Sequence, residues 1–416
     1  MATQQQYSVL NEGVRKLYIS IDLLNEDDVV IDTMSGIATD GNVSLSGNSS
    51  NRRSGSLTMI LAGNHNLLPA PDSKLWFDKR CAIRVGLKNY NDEIIYFKLG
   101  RFAIDEVEVS VDLDQRTISC QLKDYMSFLD GTLGGRLHNP IRILAESASV
   151  STAIRETVAG LPKMVIEEIK NEGSTLMVPY TIERQPNSTI YEVLKELVDL
   201  YMGMDMYFDA DGYFIVEKIR EARNDSVVAR FDGQERNFLL NASSKLDFKN
   251  VHNSVHVWGR VGDDGSVVKW VYRNKWARKK LSERAALTGK EKGDICHIID
   301  LDNSYVWNGS AWELLDFKVV PQFNIESIGE KVWSVSEDKY VTETQARLKC
   351  KYDLINYSHF AEQLSFSCVP LYHLGINNKI AVAINDDING DYLIDSISIP
   401  LDISSSMSIQ CHKIYY

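Results

Sequence analysis

The stretch from Gly100 to Asp112 (GRFAIDEVEVSVD) recurs 290 positions later, from Gly390 to Asp402 (GDYLIDSISIPLD). One Gly, one Ile and two Asp are identical in the two copies, and four further positions keep their chemical type. An alternating strand pattern follows each copy, TISCQLK at 117–123 and MSIQCHK at 407–413. The repeat suggests one β-domain used twice, although short β-hairpins also resemble one another by chance.

Length and composition indicate a globular protein of several domains. At about 100–200 residues per domain, 416 residues predict two to four domains. The chain is 44% hydrophobic and 25% charged, which is ordinary globular usage. It has no run of 18 apolar residues, and its N-terminus lacks the layout of a signal peptide, so we expect a soluble protein made in the cytoplasm.

The charge balance and the cysteines restrict the partners. A net charge of −12 argues against a surface that grips nucleic acid, which normally needs a basic face. It does not argue against nucleic acid that passes without being held. The six cysteines form no C-x-x-C pair, and we expect them to be reduced and to act as small buried hydrophobes.

Residues 1–140 have the period-two alternation of half-buried strands, separated by turn signals. Residues 141–235 differ: Thr189 and Glu192 form a capping-box pattern at a helix start, and an earlier helix is expected near Ser151. A hairpin with its turn at 209–212 completes this part. Residues 236–416 are again β, interrupted at 273–340 by a basic run and an aromatic hairpin.

The predicted fold is therefore mainly β with a smaller α+β part. Two antiparallel β domains, at 1–140 and 236–416 and each a barrel or a sandwich, would flank the α+β domain at 141–235. The segment 273–340 would be a small β insertion in the second of them.

The sequence offers no clear catalytic, metal or cofactor site. His252 and His256 have H-x-x-x-H spacing, but in a strand they lie roughly 13 Å apart and cannot share a metal. The Asp-rich segments that begin at Asp209 and Asp387 lack the Gly and Glu positions of calcium loops and indicate tight turns. We therefore predict no catalytic residues, no metal and no cofactor, and a protein that is not an enzyme.

The inserted hairpin has two interpretations. Tyr305, Trp307 and Trp312 flank an Asn308-Gly309 turn, which is a strong hairpin signal. Exposed Tyr and Trp faces can stack on sugar rings, which would make these three residues a carbohydrate or partner contact. The other interpretation is that they form the small core of a hairpin that has little else to bury. The basic run before them could contact phosphate or an acidic partner, or be a solvated face.

Several segments together resemble the baseplate hub proteins of contractile-tailed bacteriophages and related contractile injection systems. The segment 51–59 (NRRSGSLTM) looks like the Arg-Arg strand of the first hub domain, and 100–105 with 119–130 is similar to the strands and helix that close it. Val257-Trp-Gly and the C-terminal repeat look like the second barrel, and WNGSAW (307–312) resembles a module inserted in phage tail proteins. The segment 273–340 departs from the basic hub plan.

This resemblance implies a structural role in the virion tail baseplate, after assembly in the host cytoplasm. The resemblance implies that both β domains are antiparallel β-barrels of the tube type. Three chains with two barrels each would form a homotrimeric, pseudo-six-fold ring between the tail tube protein and the central spike protein, held by other baseplate proteins. DNA would pass through without specific binding. Arg52 and Arg53 are the residues that we expect to make subunit or tube contacts, because neighbours on a strand point to opposite faces.

Two other functions remain open from the sequence. A peripheral tail protein could bind host cell-wall carbohydrate through the tryptophan-containing hairpin. A cell-wall hydrolase would need a nucleophile or metal constellation, which the sequence does not offer.

Overall fold

The structure is a computed structural model. It describes residues 3–12, 16–35, 38–60, 70–71, 73–111, 116–171, 173–219, 222–231, 238–262, 264–402 and 404–415.

The first part of the chain is β apart from a short N-terminal helix. The sequence predicted strands at 17–23, 81–87 and 107–113, and strands form there over the described residues, with 112 and 113 lying outside them. Buried and partly exposed positions alternate over 80–85, whereas residues 20–24 are all buried and residues 108–111 are all exposed. The elements are α1 (Gln4–Leu10), β1 (Leu17–Leu24), β2 (Val30–Ser35), β3 (Ala38–Ser46), β4 (Arg53–Ile60), β5 (Arg80–Lys88), β6 (Ile94–Val111) and β7 (Arg116–Lys123).

The middle part of the chain contains both helices and short strands. Its capping box is confirmed, because the Thr189 hydroxyl accepts from the amide of Glu192 and the Glu192 carboxylate accepts from the amide of Thr189. Tyr125 and Met126 also belong to the hydrophobic core of this part. The elements are a 3-10 turn (Tyr125–Phe128), β8 (Ile141–Ile143), α2 (Val150–Thr157), β9 (Met164–Ile166), β10 (Lys170–Asn171), β11 (Ser174–Thr175), β12 (Ile182–Arg184), α3 (Ile190–Asp199), β13 (Met204–Phe208), β14 (Phe214–Lys218) and a 3-10 turn (Ala222–Asn224).

The remaining residues form two interleaved groups of strands. The elements are β15 (Ala229–Phe231), β16 (Leu239–Asp247), β17 (Ser254–Val261), β18 (Val267–Arg278), α4 (Leu281–Ala285), β19 (Asp294–Ile298), a 3-10 turn (Ile299–Leu301), β20 (Asn303–Trp307), β21 (Trp312–Leu314), a 3-10 turn (Pro321–Phe323), α5 (Ile325–Ile328), β22 (Val332–Ser336), α6 (Glu343–Tyr357), β23 (Ala361–Cys368), β24 (Lys379–Ala383), β25 (Asn389–Pro400) and β26 (Met407–Lys413).

The first and last parts of the chain share one sheet of 13 strands. Its order is β16-β23-β26-β25-β3-β4-β7-β6-β5-β1-β2, and β24, with β15 beside it, pairs to β25. Side chains from both parts make a single hydrophobic core. The fold is therefore mainly β, as predicted. Among the described strands this sheet does not close on itself, so the two predicted barrels are not confirmed.

The insertion is a second sheet, with the order β21-β20-β19-β18-β17-β22 and α6 packed against β17 and β18. Val255 and Val257, which the sequence placed in a strand of the second barrel, lie on β17 and belong to this six-stranded sheet. β17 and α6, which lie outside the predicted segment 273–340, thus belong to the same sheet and the layer packed on it. Its parallel pairings, β17 with β22 and β18 with β19, join segments distant in sequence.

The sequence repeat is also a structural repeat. In β6 an extra residue, Asp105, bulges out of the pairing with β7, and in β25 the equivalent Asp395 bulges out of the pairing with β26. Asp105 pairs with Lys123 at 2.8 Å, and Asp395 lies 2.7 Å from Nδ1 of His412. Lys123 and His412 occupy matching positions on the two partner strands.

The neighbouring strands repeat as well. Gly100 faces Ile83 of β5 and Gly390 faces Val382 of β24, and both glycines have positive φ. On the other side β4 corresponds to β23, and beyond them β3 corresponds to β16. Five strands in the same order therefore occur twice: β3-β4-β7-β6-β5, the N-terminal half, and β16-β23-β26-β25-β24, the C-terminal half.

All six cysteines are free and buried, as expected. Burial raises the pKa of the Cys296 thiol to about 11 and that of Cys120 to about 12. In the part of the chain that the structure describes, no helix is both long enough and apolar enough to cross a membrane.

Candidate functional site

Three parts of the molecule can serve a function: the joint between the large sheet and the α+β domain, the inserted sheet, and the strand edges at the ends of the repeat. Each contains residues that the sequence singled out or left unassigned.

Arg52 and Arg53 lie in the joint. Arg52 is buried, forms an ion pair with Asp205 of β13, and its guanidinium stands 3.9 Å from the ring centroid of Tyr207. Arg53 donates from Nη1 to the carbonyl of Phe208 at 2.6 Å. Both side chains of the predicted contact pair are thus engaged within their own chain. A contact with another subunit or with a tail tube stays a prediction.

The backbone next to these arginines is held by a buried carboxylate. Asp124 accepts hydrogen bonds from the amides of Arg53, at 2.9 Å, and Met126, at 3.0 Å. Burial raises the pKa of Asp124 to about 6, against the lowering effect of those amides. Burial also lowers the pKa of the Arg53 guanidinium, because water stabilises its charge better than the joint does.

A second carboxylate in the joint, Asp28, was missed by the sequence reasoning. Its side chain is 2% exposed. Its carboxylate oxygens lie 2.9 Å from Nη1 of Arg101, 3.0 Å from Nζ of Lys163 and 3.6 Å from Nη1 of Arg80. The hydroxyl of Tyr125 donates to it. Burial by itself would raise the pKa of Asp28, but the hydrogen bonds from Tyr125 and Lys163 and the charge of Arg101 outweigh it, so the pKa lies below its usual value. Asp28 therefore stays ionised and ties the large sheet to the α+β domain.

The aromatic hairpin forms as predicted, and its three aromatic residues differ in surroundings. Tyr305 and Trp312 pack on a small core that contains Trp276 and Cys296. Trp307 pairs across the hairpin with Trp312, with ring centroids 5.5 Å apart. Tyr305 and Trp312 thus help to build the module, which favours the small-core interpretation for them. Trp307 also faces a cavity.

This cavity of about 780 Å³ lies between β17–β18, the hairpin β20–β21 and α6. Three tryptophans line it, Trp258, Trp270 and Trp307, together with several lysines and acidic side chains. Lys292 stands 5.1 Å from the Trp270 ring, and the buried Nε1 of Trp270 has no hydrogen-bond partner among the described residues. Aromatic faces beside an unused donor can hold a planar or ring-shaped polar group.

The two histidines and the Asp209 turn have partners within the chain. His256 lies 3.0 Å from the Ser254 hydroxyl, while the His252 ring packs at a tilt against Trp333, so the two histidines face different partners. Asp209 accepts from two amides of its own turn, as predicted. Among the residues that the structure covers, no group of three or more His, Cys, Asp or Glu is placed to hold a metal ion.

The edges at the ends of the repeated unit are unpaired. Residues 106–111 of β6 pair with β7 on one side only, and β16 pairs with β23 only, among the described strands. Val109, Val111, Leu240 and Leu246 on these two segments are exposed. Exposed apolar edge strands are sites at which sheets extend into another chain.

The fold is similar to that of tail proteins, one of them from a prophage, and of a chain of a PdpA-VgrG complex. It is similar to a tail protein from Neisseria meningitidis MC58 (TM-score 0.57, 11% identity, covering 95% of this chain and 96% of that chain). It is also similar to the 43 kDa tail protein of prophage MuSo2 from Shewanella oneidensis (TM-score 0.54, 12% identity, 95% and 98% covered). A chain of the Francisella PdpA-VgrG complex, half-lidded, matches with a TM-score of 0.51 and 10% identity over 99% of this chain and 61% of that chain.

No protein-family model and no curated protein matches the sequence. At 10–12% identity these likenesses show a common fold. The resemblance to tail proteins, which the sequence suggested, is confirmed at the level of the fold.

Proposed function

We propose that this chain is the structural hub of a contractile phage tail or a related injection machine. Three copies form a ring of six similar β-units that joins the tail tube to the central spike and lets DNA pass. The observation that carries the proposal is the duplicated five-strand unit within one continuous sheet, because a chain with two similar units converts three-fold into pseudo-six-fold symmetry. The shared fold with two tail proteins supports the same role.

In this proposal the joint and the insertion have separate tasks. The ion pairs of Asp28 and Arg52 fix the α+β domain to the ring, so that force on one is transmitted to the other. The inserted six-stranded sheet presents a surface for other baseplate proteins. A closed barrel would form only when neighbouring chains complete the sheet.

The test is the native mass of the purified chain, measured by light scattering after size exclusion over a range of concentrations. A species near three times 47.1 kDa that appears as a ring in electron micrographs is the expected result. A strict monomer at every concentration, also in the presence of its tube and spike proteins, would contradict the proposal.

A second candidate function is binding of host cell-wall carbohydrate, favoured by the position of Trp307 on the tryptophan-lined cavity. A pull-down on cell-wall polysaccharide tests it with the Trp307→Ala variant. Ser310→Ala, at the exposed tip of the same hairpin, is the matched control. Binding that is lost with Trp307 and kept in the control would support this function, and absence of binding by the unaltered chain would exclude it.

A further inference from the structure

The two halves of the large sheet meet at an internal junction, and its geometry can be transferred to a contact between two chains. Strand β25 of the C-terminal half pairs antiparallel with β3 of the N-terminal half, from Ser396 opposite Ser46 to Pro400 opposite Asn42. In the structural repeat, β25 corresponds to β6 and β3 corresponds to β16. The equivalent of this junction is thus a pairing of β6 with β16, which does not occur within the described chain.

We infer that residues 106–110 of one copy pair antiparallel with residues 243–247 of the next copy, in the register of the internal junction. The inference rests on the proposed ring and supplies its contact. Transferring the register through the matched strands places Glu106 opposite Asp247, Val107 opposite Leu246, Glu108 opposite Lys245, Val109 opposite Ser244, and Ser110 opposite Ser243.

Burial supports this pairing. Ile399, the counterpart of Val109, is 1% exposed, and Leu45, the counterpart of Leu246, is 5% exposed, because each is covered at the internal junction. Val109 is 40% exposed and Leu246 is 48% exposed in the single chain. Val109 and Leu246 are thus exposed apolar side chains at positions whose counterparts are buried at the internal junction. This is expected if a second copy of the chain covers them.

Charge supports the same register. At the internal junction Ser398 faces Ser44, whereas at the equivalent positions Glu108 faces Lys245, and opposite charges directly across strands are favourable. Lys245 also lies diagonal to Glu106. The like-charged Glu106 and Asp247 meet at the end of the ladder. There Asp247 accepts hydrogen bonds from the amide of Lys249 and the side chain of Asn250, which satisfies its carboxylate.

The strand that pairs with residues 106–110 belongs to a second copy of this chain. Only an edge with the shape and register of β16 would reproduce the pairing seen at the internal junction. Three such contacts alternate with three internal junctions, so the ring closes after six units and leaves neither edge free.

Cysteine pairs test the register. A chain with Val109→Cys and Ser244→Cys should give covalent dimers and trimers on mild oxidation, because residues directly opposite have Cα atoms about 4.5–5.5 Å apart. The matched control, Val109→Cys with Leu246→Cys, is two positions out of register at about 7–8 Å and should give little product. The native thiols are all buried and provide a low background.

Charge reversal is the second test. Glu108→Lys and Lys245→Glu alone should each weaken assembly by roughly tenfold or more, since each places like charges opposite one another. The double reversal should restore it. Circular dichroism checks that each variant remains folded.

The outcomes of these tests distinguish a wrong strand register from a wrong ring assembly. A trimer with disulfides only in the predicted pair, and rescue by the double reversal, supports the inference. A trimer in which the control pair links equally well, or in which neither links, overturns the register and leaves the ring standing. Absence of any trimer of the unaltered chain overturns both.

Discussion

Replacing Asp28 by Asn should loosen the joint between the large sheet and the α+β domain. Asn has nearly the same shape and tolerates the positive φ of this position, so the change removes the charge and little else. The side chains of Arg101, Lys163 and Arg80 are 21%, 28% and 20% exposed and would lose their shared counter-charge.

Removing one partner of a buried ion pair costs about 3–5 kcal/mol. Water can partly hydrate the three cations here, so we expect a loss of about 2–3 kcal/mol in the free energy of unfolding at pH 7. The matched control is Asp211→Asn. Asp211 pairs with Lys98 across the same two domains, but that pair is well exposed, so its loss should cost less than about 1 kcal/mol.

The effect should depend on pH with a definite sign. The pKa of Asp28 is lower in the folded chain than the usual 3.8. Its stabilisation is therefore fully present above about pH 4 and is lost as the pH falls through the lower folded pKa. Parent and variant should differ at pH 7 and converge in strong acid, where Asp28 itself is protonated.

Urea unfolding followed by circular dichroism measures the free energy, at one low protein concentration so that assembly does not contribute. Hydrogen exchange of β13 and the 3-10 turn at 125–128 locates the change. An Asp28→Asn variant as stable as the parent at pH 7, or no more affected than Asp211→Asn, would refute the reasoning.

Three further changes probe single features of the fold. Arg52→Ala removes the partner of Asp205 in the joint and should cost about 2–3 kcal/mol, visible as faster hydrogen exchange in β13. Thr189→Ala removes the cap of α3 and should cost about 1 kcal/mol in urea unfolding. Gly100→Ala puts a Cβ at positive φ and 2.9 Å from two side-chain atoms, and should lower stability by about 1–3 kcal/mol. Gly160→Ala has open space and is its control in the same assay.

Local patterns predicted the elements well. The alternation of Leu17, Ile19 and Ile21 specified β1, and the Thr189 pattern specified the start of α3. These signals arise within one strand or one helical turn, so they can be seen without a partner. The tight turn at Asp209 is of the same kind, because its side chain bonds to its own backbone.

Contacts between distant segments were not predictable. Arg52 was recognised as unusual, but its partner Asp205 is 153 residues away and nothing in the local sequence marks it. Asp28 is one acidic residue among 57, and only the fold brings three cations to it. Likewise Val257 has a correct strand pattern, yet which sheet the strand joins depends on a parallel pairing with β22. The periodicity of a sequence predicts that a strand forms there, but it does not specify which strand pairs with it.

The structure resolves whether the repeat is coincidence or duplication. Chance likeness of two hairpins would preserve alternation, because alternation is common. It would not place a bulge at the same Asp, a basic partner at the same position of the next strand, and a positive-φ Gly at the same distance before it. The order of five strands around each bulge is also the same. The copies differ outside this unit, where β1 is antiparallel to β5 but β15 is parallel to β24. The edges of the two repeated units meet at the internal junction between β25 and β3. The shared geometry is therefore found at the edges that a closed ring would use twice per chain, once inside the chain and once between neighbouring chains.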